Sequence, residues 1–521
     1  PLAKILVTFV QGMLMAANQK RDSGNMGPSV PRFPVNAVRT IARIMAAFPR
    51  ENLVRVMARS YPAMGRKPAP GIDARVISVV RRAVETFGLG GLEDTTYGAF
   101  GEKTFNAERG TVSIDFGDSH GPVEAQAGLA LKSLAGDEHD AANSVVELPL
   151  HQEAMCSMFQ DHAAGADILL MGSKGSGKSV LSRHFARHLG YVPVLFSLFK
   201  DQTARDLLQR RATDEKGNTS WEPSPVVEAA IKGHVVILDG LDRLSGDTLA
   251  VLQRLIVDRE VELFDGTRLV SDDVVDMEGG HEKARNVFKV HPSFRIIALA
   301  CPPSDSNPWF TDEVMSWFRT TVLPELDSQT TVQLIDALFP NAPKNLVKKL
   351  MAFSTVLSGV PVSDGTAAAP ADTTSFPSSL GGFYSRTGHA TKKRKDGHGT
   401  AKGKAAELRR AGNTGLSELS LRQILRLCRK MDAFPERAEA LLGEHLKSML
   451  MVPYLPQAKQ EIVKMAMMQA DIAPFDDGFS SFSSPPLEIV LSSKGDAVSI
   501  GDVSLPVNVH VNNPEMVPDP L

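Results

Sequence analysis

The sequence has few cysteines, few aromatic residues and almost no excess charge. Its three cysteines, Cys156, Cys301 and Cys428, are odd in number and widely spaced, so they predict neither a disulfide framework nor a zinc cluster. The 57 basic and 60 acidic residues give a net charge of −3, which argues against dedicated nucleic-acid binding, because that needs a basic surface. No run of about 18 apolar residues occurs, so we expect no transmembrane helix. These features are typical of an intracellular protein.

The 521 residues are 43% hydrophobic, which is sufficient for several packed domains. The chain begins at Pro1 without a methionine, inside an amphipathic helix pattern. We therefore expect a fragment of a longer polypeptide, whose targeting sequence would lie outside it.

Periodicity divides the chain into five segments, which are residues 1–95, 96–144, 145–330, 331–470 and 471–521. The first and fourth read as helical, and the second and last contain short β-like pieces. The third alternates apolar runs with helical stretches, which is typical of a parallel sheet covered by helices. Within the fourth segment, residues 355–415 are rich in small and basic residues, and we expect them to be disordered. The predicted fold class is α/β, with additional all-α parts and small β-containing connectors.

An internal repeat links the first and fourth segments. Residues 33–49 align with residues 419–435, an offset of 419 − 33 = 386, and both copies end in Phe-Pro. Chance similarity between two amphipathic helices is the alternative interpretation. The shared Phe-Pro break and the shared order of elements favour a duplicated helical unit.

The strongest motif fits the pattern G-x-x-x-x-G-K-[ST]. Its residues are Gly172, Ser173, Lys174, Gly175, Ser176, Gly177, Lys178 and Ser179. A strand pattern precedes it and a helical pattern follows, which is the context that a phosphate-binding loop requires. Glycines let backbone N–H groups close around phosphates, Lys178 can reach the outer phosphates, and Ser179 can ligate Mg²⁺. The motif predicts an ATP site with Mg²⁺; a glycine-rich turn that binds nothing is the alternative.

Two further strand patterns lead to residues whose side chains could take part in metal binding or catalysis. One ends at Asp239, where P-loop enzymes place the acid that holds Mg²⁺, so Ser179 and Asp239 are the predicted metal residues. The other leads to Cys301, a weak hydrogen-bond donor. Between them, residues 261–270 contain an Asp-Gly pair and predict a hairpin.

These residues resemble the MoxR-like and dynein-related branch of the AAA+ ATPases. The resemblance rests on residues 168–179, 233–240, 248–255 and 291–300. It implies a P-loop AAA+ nucleotide-binding core at residues 145–330 and its helical lid at 331–470. Residues 1–95 would be the lid of a preceding module, and 471–521 a connector toward a following one. A narrower likeness, to a multi-module mitochondrial ATPase, implies a mitochondrial location.

The resemblance also exposes departures at the catalytic positions. Hydrolytic members usually place Glu directly after the strand-end Asp, but here Gly240 has no side chain to act as a base. Asp242 is a candidate catalytic substitute, although a shorter acid at a different rotation is a poor geometric match; a helix cap near Leu244 is its alternative role. Cys301 stands where a polar residue, often Asn, orients water.

Arginines complete the expected site. The resemblance implies an arginine in the lid helix that touches the γ-phosphate; Arg422 occupies that position in the second repeat, and Asn36 in the first. An arginine finger toward the neighbouring module is expected near Trp317, where Arg319 is the candidate. For both arginines, an ordinary surface position is the alternative.

Three hypotheses follow. The first is an ATP-binding module of a multi-module ring, with weak or no hydrolysis, whose partners are neighbouring AAA+ modules and a protein client of unknown identity. The second is a non-catalytic scaffold with a vestigial P-loop. The third is full turnover through Asp242.

Overall fold

The computed structural model describes most of the central part of the chain. The described residues are 7–13, 32–49, 51–64, 74–86, 103–106, 108–115, 122–129, 146, 148–213, 216–271, 286–304, 307–357, 418–473, 489–491, 497–500 and 503–506. The predicted disordered segment lies almost wholly outside these residues, so that prediction stays untested. In the described part, no helix has the length and apolar character needed to cross a membrane.

The structure divides into two compact units. The first comprises Pro1–Val347 and Leu419–Ala433, and the second Lys348–Glu418 and Phe434–Leu521. The predicted lid, residues 331–470, is thus shared between the two units.

The first unit begins with helices, as the sequence predicts. After a helical stretch at residues 7–13 come α1 (Ala37–Ala47), α2 (Leu53–Ala58) and α3 (Ala74–Thr86). Their apolar faces meet in one cluster that includes Phe9, Ile41, Val54 and Tyr61. The side chain of Asn52 caps α2 by accepting a hydrogen bond from the Val54 N–H.

A three-stranded antiparallel sheet follows, in the order β1 (Lys103–Asn106), β2 (Thr111–Ile114) and β3 (Val123–Gln126). Its buried residues pack with α4 (Pro149–Ala163) on one face of the main sheet. This placement gives the short strands the apolar contacts that an isolated small sheet lacks.

The main sheet contains five parallel strands. They are β4 (Ile168–Gly172), β5 (Pro193–Ser197), β8 (Val235–Asp239), β12 (Arg295–Ala300) and β13 (Arg319–Leu323), arranged in the order β13-β4-β12-β8-β5. The three central strands are almost wholly buried, because helices cover both faces. The predicted α/β class is confirmed.

Helices and two hairpins connect these strands. The helices are α5 (Lys178–His188), α6 (Ala204–Leu208), α7 (Pro225–Lys232), α8 (Gly246–Ala250), α9 (Gln253–Val257) and α10 (Asp312–Trp317). One hairpin joins β6 (Gln209–Thr213) to β7 (Thr219–Pro223). The other, predicted from its Asp-Gly pair, joins β9 (Val261–Glu262) to β10 (Arg268–Val270), with β11 (Val287–Lys289) parallel to β10.

The remaining elements are mostly helical. They are α11 (Ser328–Leu338), α12 (Lys344–Leu357), α13 (Leu421–Ala433), α14 (Ala438–Met449), α15 (Gln457–Gln469) and the antiparallel strands β14 (Ile489–Leu491), β15 (Ala497–Ile500) and β16 (Val503–Pro506). The repeat is visible in local geometry. Phe48, after α1, has φ −128° and ψ 74°, and Phe434, after α13, has φ −136° and ψ 65°. Each precedes a proline, which disfavours helical geometry in the residue before it.

A buried charge cluster joins the first helices to the main sheet. The Asp161 carboxylate on α4 lies 3.4 Å from Arg59 Nε and 3.2 Å from Arg319 Nε. Arg319 also donates to the Val56 carbonyl, and the Thr320 N–H donates to the Arg59 carbonyl, each at 2.5 Å. Both arginines and the aspartate are nearly inaccessible to solvent. The helices before residue 65 are therefore attached to strand β13 by charge as well as by apolar packing.

We predict that Asp161→Ala lowers the free energy of unfolding by about 3–5 kcal/mol, because two buried guanidinium groups lose their counter-charge. Urea denaturation followed by circular dichroism measures this. Glu228→Ala is the matched control, since Glu228 pairs with Lys232 on an exposed helix face and such pairs contribute only about 0.3–0.5 kcal/mol. Equal effects of the two substitutions would contradict the role given to the buried cluster.

Candidate functional site

The predicted phosphate loop connects β4 to α5. Two of its glycines have positive φ, +92° at Gly175 and +87° at Gly177, a region that side chains other than glycine rarely adopt. The third, Gly172, is constrained by space: a Cβ there would lie 2.7 Å from Ser176 Oγ and 3.0 Å from the Leu323 carbonyl oxygen. The motif's glycines are thus required by backbone conformation and by the close approach of β13.

Lys178, the first residue of α5, turns back over the loop. Its Nζ donates hydrogen bonds of 2.7 Å to the carbonyl oxygens of Gly172 and Ser173. Burial lowers the pKa of Lys178, while Cys301, Asp239 and Asp242 oppose that shift. The ammonium group is therefore held inside the loop, half-buried, among groups that favour its charged form.

The other polar residues of the loop differ in exposure. Ser176 is buried and its hydroxyl has no hydrogen-bond partner among the described residues. Ser173 is half-buried, and Lys174 is exposed. The loop therefore has one cation held within it, at Lys178, and a second on its outer side.

The two predicted metal residues are adjacent. Ser179 Oγ donates to Asp239 Oδ2 at 3.3 Å, because the carboxyl end of β8 lies next to the start of α5. A hydroxyl and a carboxylate are the hard oxygen donors that Mg²⁺ takes from P-loop proteins, with water and phosphate oxygens completing its octahedron. The residues present fit this ion.

Gly240 is glycine for a structural reason. Its φ is +97°, and its N–H donates to the Leu299 carbonyl of β12 at 2.9 Å. A Cβ at this position would lie 2.9 Å from Arg243 Nε. The left-handed turn after β8 therefore disfavours a side chain at the position that follows Asp239.

Asp242 lies in a single 3₁₀ turn, Leu241–Arg243. Its carboxylate accepts the Cys301 N–H at 3.0 Å, and its carbonyl accepts from Asn307 Nδ2 at 2.9 Å. The alternative role as a helix cap is wrong, because Ser245 caps α8 by accepting from the Thr248 N–H. Asp242 instead ties the turn after β8 to the end of β12.

Cys301 lies at the end of β12, half-buried beside this turn. Burial and the charge of Asp242 raise the pKa of its thiol, against the effect of Lys178. The Cys301 carbonyl accepts a hydrogen bond from Trp309 Nε1 at 3.0 Å. A protonated thiol at this position is a weak donor; its role toward water stays a prediction.

The start of α13 lies against the phosphate loop. A Cβ placed on Gly175 would be 3.7 Å from Leu421 Cβ and 3.8 Å from the Arg422 backbone nitrogen. The Arg422 side chain is exposed. The backbone of Arg422 therefore lies beside the loop, although 247 residues (422 − 175) separate it from Gly175 in sequence.

Arg319 does not fit the predicted arginine finger. It is 3% exposed, and its guanidinium contacts Asp161 and the Val56 carbonyl. Burial lowers its pKa to about 10, which Asp161 opposes. A finger must extend from the surface toward a neighbouring module, so the prediction is corrected: Arg319 belongs to the buried cluster. Trp317 is also buried.

Sequence reasoning missed His151. Its Nε2 lies 3.5 Å from a Cβ built on Gly177, and the Val146 backbone, which interacts with the ring, favours its charged form. Burial lowers its pKa, so the ring is neutral near pH 7. No short sequence pattern marks this residue as part of the loop's surroundings.

Comparisons with known proteins agree with this geometry. Residues 167–318 match the AAA domain of the dynein-related subfamily. Von Willebrand factor A domain-containing protein 8 of Mus musculus is 32% identical over 355 residues, which are 64% of this chain and 18% of the mouse protein. Protein CbbQ of Hydrogenophilus thermoluteolus is 28% identical over 130 residues, 25% of this chain and 42% of that protein.

Two further proteins are less similar in sequence. Midasin of Dictyostelium discoideum is 27% identical over 136 residues, 26% of this chain and 2% of midasin. A solved structure from Cytophaga hutchinsonii, described as a candidate ATPase, has a TM-score of 0.25 at 13% identity, with 37% of this chain and 60% of that chain covered. The chain thus spans less than half the length of these curated relatives.

We predict that Gly240→Glu lowers the free energy of unfolding by about 1–2 kcal/mol, the cost of a left-handed conformation for a residue with a side chain. Gly246→Glu is the matched control: Gly246 starts α8 with open space around it, and an acid in a first helical turn is neutral or stabilising. Urea denaturation of both variants checks this. Equal stability of the two variants would contradict the constraint assigned to Gly240.

Proposed function

We propose, from the premise that residues 167–318 form an AAA domain of the dynein-related subfamily, that this chain binds Mg-ATP at residues 172–179 and hydrolyses it slowly or not at all. The observation that supports this most directly is the loop itself. Its glycine conformations, its enclosed ammonium group and its neighbouring hydroxyl–carboxylate pair are together what a triphosphate and its metal ion require.

Binding is assigned to the loop's own groups. Backbone N–H groups of the loop and of the first turn of α5 face the phosphates. Lys178 exchanges its two carbonyl partners for phosphate oxygens, which are stronger acceptors because they are charged. Ser179 and Asp239 hold the metal ion, which neutralises phosphate charge when bound. Arg422, on α13, supplies a further cation beside the loop.

Weak hydrolysis follows from what surrounds Asp239. Gly240 supplies no base, and its backbone conformation disfavours one. The Asp242 carboxylate accepts the Cys301 N–H at 3.0 Å. It therefore links the turn after β8 to the end of β12. Cys301 donates weakly, and Arg319 is buried away from any neighbouring site. No described residue at these positions combines the chemistry and the freedom needed to activate water.

The larger assembly is also part of the proposal. The chain covers 18% of its mouse relative, so hydrolysis, a protein client and the ring of neighbouring modules are assigned to the whole protein. In such an assembly, nucleotide at residues 172–179 would stabilise the contact between α13 and the loop. The mitochondrial location remains a prediction from the resemblance.

We expect Lys178→Ala to weaken ATP binding on the order of 100-fold, because it removes charged hydrogen bonds of roughly 1.5–3 kcal/mol each. Isothermal titration with Mg-ATP measures the affinity. Lys200→Ala, which removes an exposed cation just after β5, is the control and should bind as the parent does. No ATP binding by the parent, or binding unaffected by Lys178→Ala, would favour the scaffold with a vestigial loop.

The Asp242→Asn variant tests whether Asp242 acts as a catalytic base for ATP hydrolysis. The amide oxygen can still accept the Cys301 N–H, whereas the basic carboxylate is gone. We expect phosphate release below about 1 s⁻¹, the low end of the common enzymatic range, in both parent and variant, with ATP binding retained. If the parent turns over faster and Asp242→Asn abolishes release, Asp242 is the catalytic base and the site is hydrolytic.

A further inference from the structure

Two histidines meet on helix α5, apart from the residues assigned to the nucleotide. His184 and His188 lie four residues apart, so they face each other on successive turns of the helix, and both are half-buried. Their Nε2 atoms are 2.9 Å apart, while their ring centroids are 4.2 Å apart, with planes at 81°. The Nε2 edges are therefore the parts of the two rings that approach each other. We call His184 and His188 the histidine pair.

The ring of His188 is uncharged at neutral pH. Burial lowers its pKa to about 3, and the neighbouring Lys103 and His184 add to this shift. Neutral imidazole is the form that binds metal ions. His188 is also the last residue of α5, where the partial negative charge of the free helix carbonyls favours a cation. The ring is therefore available as a metal ligand near pH 7.

The spacing of the two nitrogens indicates which ions fit between them. Two nitrogens at about 2.05 Å from one ion lie about 2.9 Å apart when the angle at the ion is about 90°, and about 3.3 Å apart at the tetrahedral angle. The observed separation is 2.9 Å. Tetragonal coordination is typical of Cu²⁺ and Ni²⁺, whereas Zn²⁺ in proteins is mostly tetrahedral. The spacing therefore favours Cu²⁺ or Ni²⁺ over Zn²⁺.

Lys103, on β1 of the three-stranded sheet, contacts the other nitrogen of His188. Its Nζ lies 2.5 Å from His188 Nδ1. Because an ammonium group can only donate, Nδ1 accepts this hydrogen bond, and the proton of the neutral ring then lies on Nε2, beside His184. An ion between the two Nε2 atoms requires that proton to move to Nδ1, where it meets the ammonium group. Lys103 therefore opposes metal binding, and its exposed side chain has to move away when an ion binds.

We propose that the histidine pair is a binding site for a divalent ion that prefers tetragonal coordination, Cu²⁺ or Ni²⁺, and that Lys103 sets its affinity. Among the described residues, no three or more His, Cys, Asp or Glu side chains form a group that could hold a metal ion, so the protein supplies two ligands and water the others. The bound ion links two turns of α5. Its nitrogen ligands differ from the oxygen ligands that Mg²⁺ prefers, and the inference is independent of nucleotide binding.

The test titrates the full chain, without an affinity tag and without nucleotide, with Cu²⁺ in an isothermal calorimeter, using glycine as a competing chelator. We expect His184→Ala and His188→Ala each to weaken Cu²⁺ binding on the order of 100-fold, since losing a ligand costs at least as much as losing an outer-shell partner. Ni²⁺ should bind more tightly than Zn²⁺, because of the nitrogen spacing. The electron paramagnetic resonance spectrum of bound Cu²⁺ should show a tetragonal ion with two nitrogen ligands.

Lys103→Gln should have the opposite effect, which loss of folding cannot imitate. The amide oxygen can accept the Nδ1–H of a metal-bound His188, and we expect Cu²⁺ to bind about 10-fold more tightly. His445→Ala is the matched control, because His445, on α14, has no other histidine within four residues. It should leave the affinity unchanged, and circular dichroism verifies that each variant is folded.

Four results would overturn the proposal. They are Cu²⁺ binding that survives both His184→Ala and His188→Ala, an equal loss in His445→Ala, tighter binding of Zn²⁺ than of Ni²⁺, and no gain of affinity in Lys103→Gln. Any of them would leave the histidine pair as a hydrogen bond within α5.

Discussion

The site depends on the position of β4 between β12 and β13. In this register Ala300 pairs with Met171, Leu323 with Gly172, and Leu299 with Asp239 on the next strand. Because all these strands are parallel, their carboxyl ends meet at one edge of the sheet. That edge therefore collects the loop at residues 172–179, Asp239 and the end of β12, although each lies 60 residues or more from the next in sequence.

At the opposite, amino ends of the strands, charged side chains hold the sheet together. Asp167, directly before β4, accepts two hydrogen bonds from Arg259 at 2.7 and 2.9 Å and one from the Ile296 N–H at 2.9 Å. The Arg319 N–H donates to the Asp167 carbonyl, and Arg319 in turn pairs with Asp161. Buried charges stabilise only when their hydrogen bonds are made. This network fixes the ends of the strands that position the loop, and it attaches the first helices to the same sheet.

The two departures near Asp239 have one structural origin. Gly240 turns the chain sharply after β8, and the Asp242 carboxylate then accepts the Cys301 N–H. The turn that places a glycine after Asp239 therefore also holds the Asp242 carboxylate in a structural hydrogen bond. Under the proposed function, bound nucleotide would join α13 to the sheet without being consumed.

Local sequence patterns alone predicted the loop motif and most of the strands of this protein. Motif spacing identified residues 172–179, and apolar runs located the strands, because phosphate loops and buried parallel strands impose residue types on consecutive positions. Asp239 and the Phe-Pro break of the repeat were found in the same way. The tertiary structure alone decided the burial of Arg319, the partner of Asp242, the approach of His151 to the loop, and the contact of Lys103 with His188. Each of those depends on which elements become neighbours, and no short stretch of sequence contains that information.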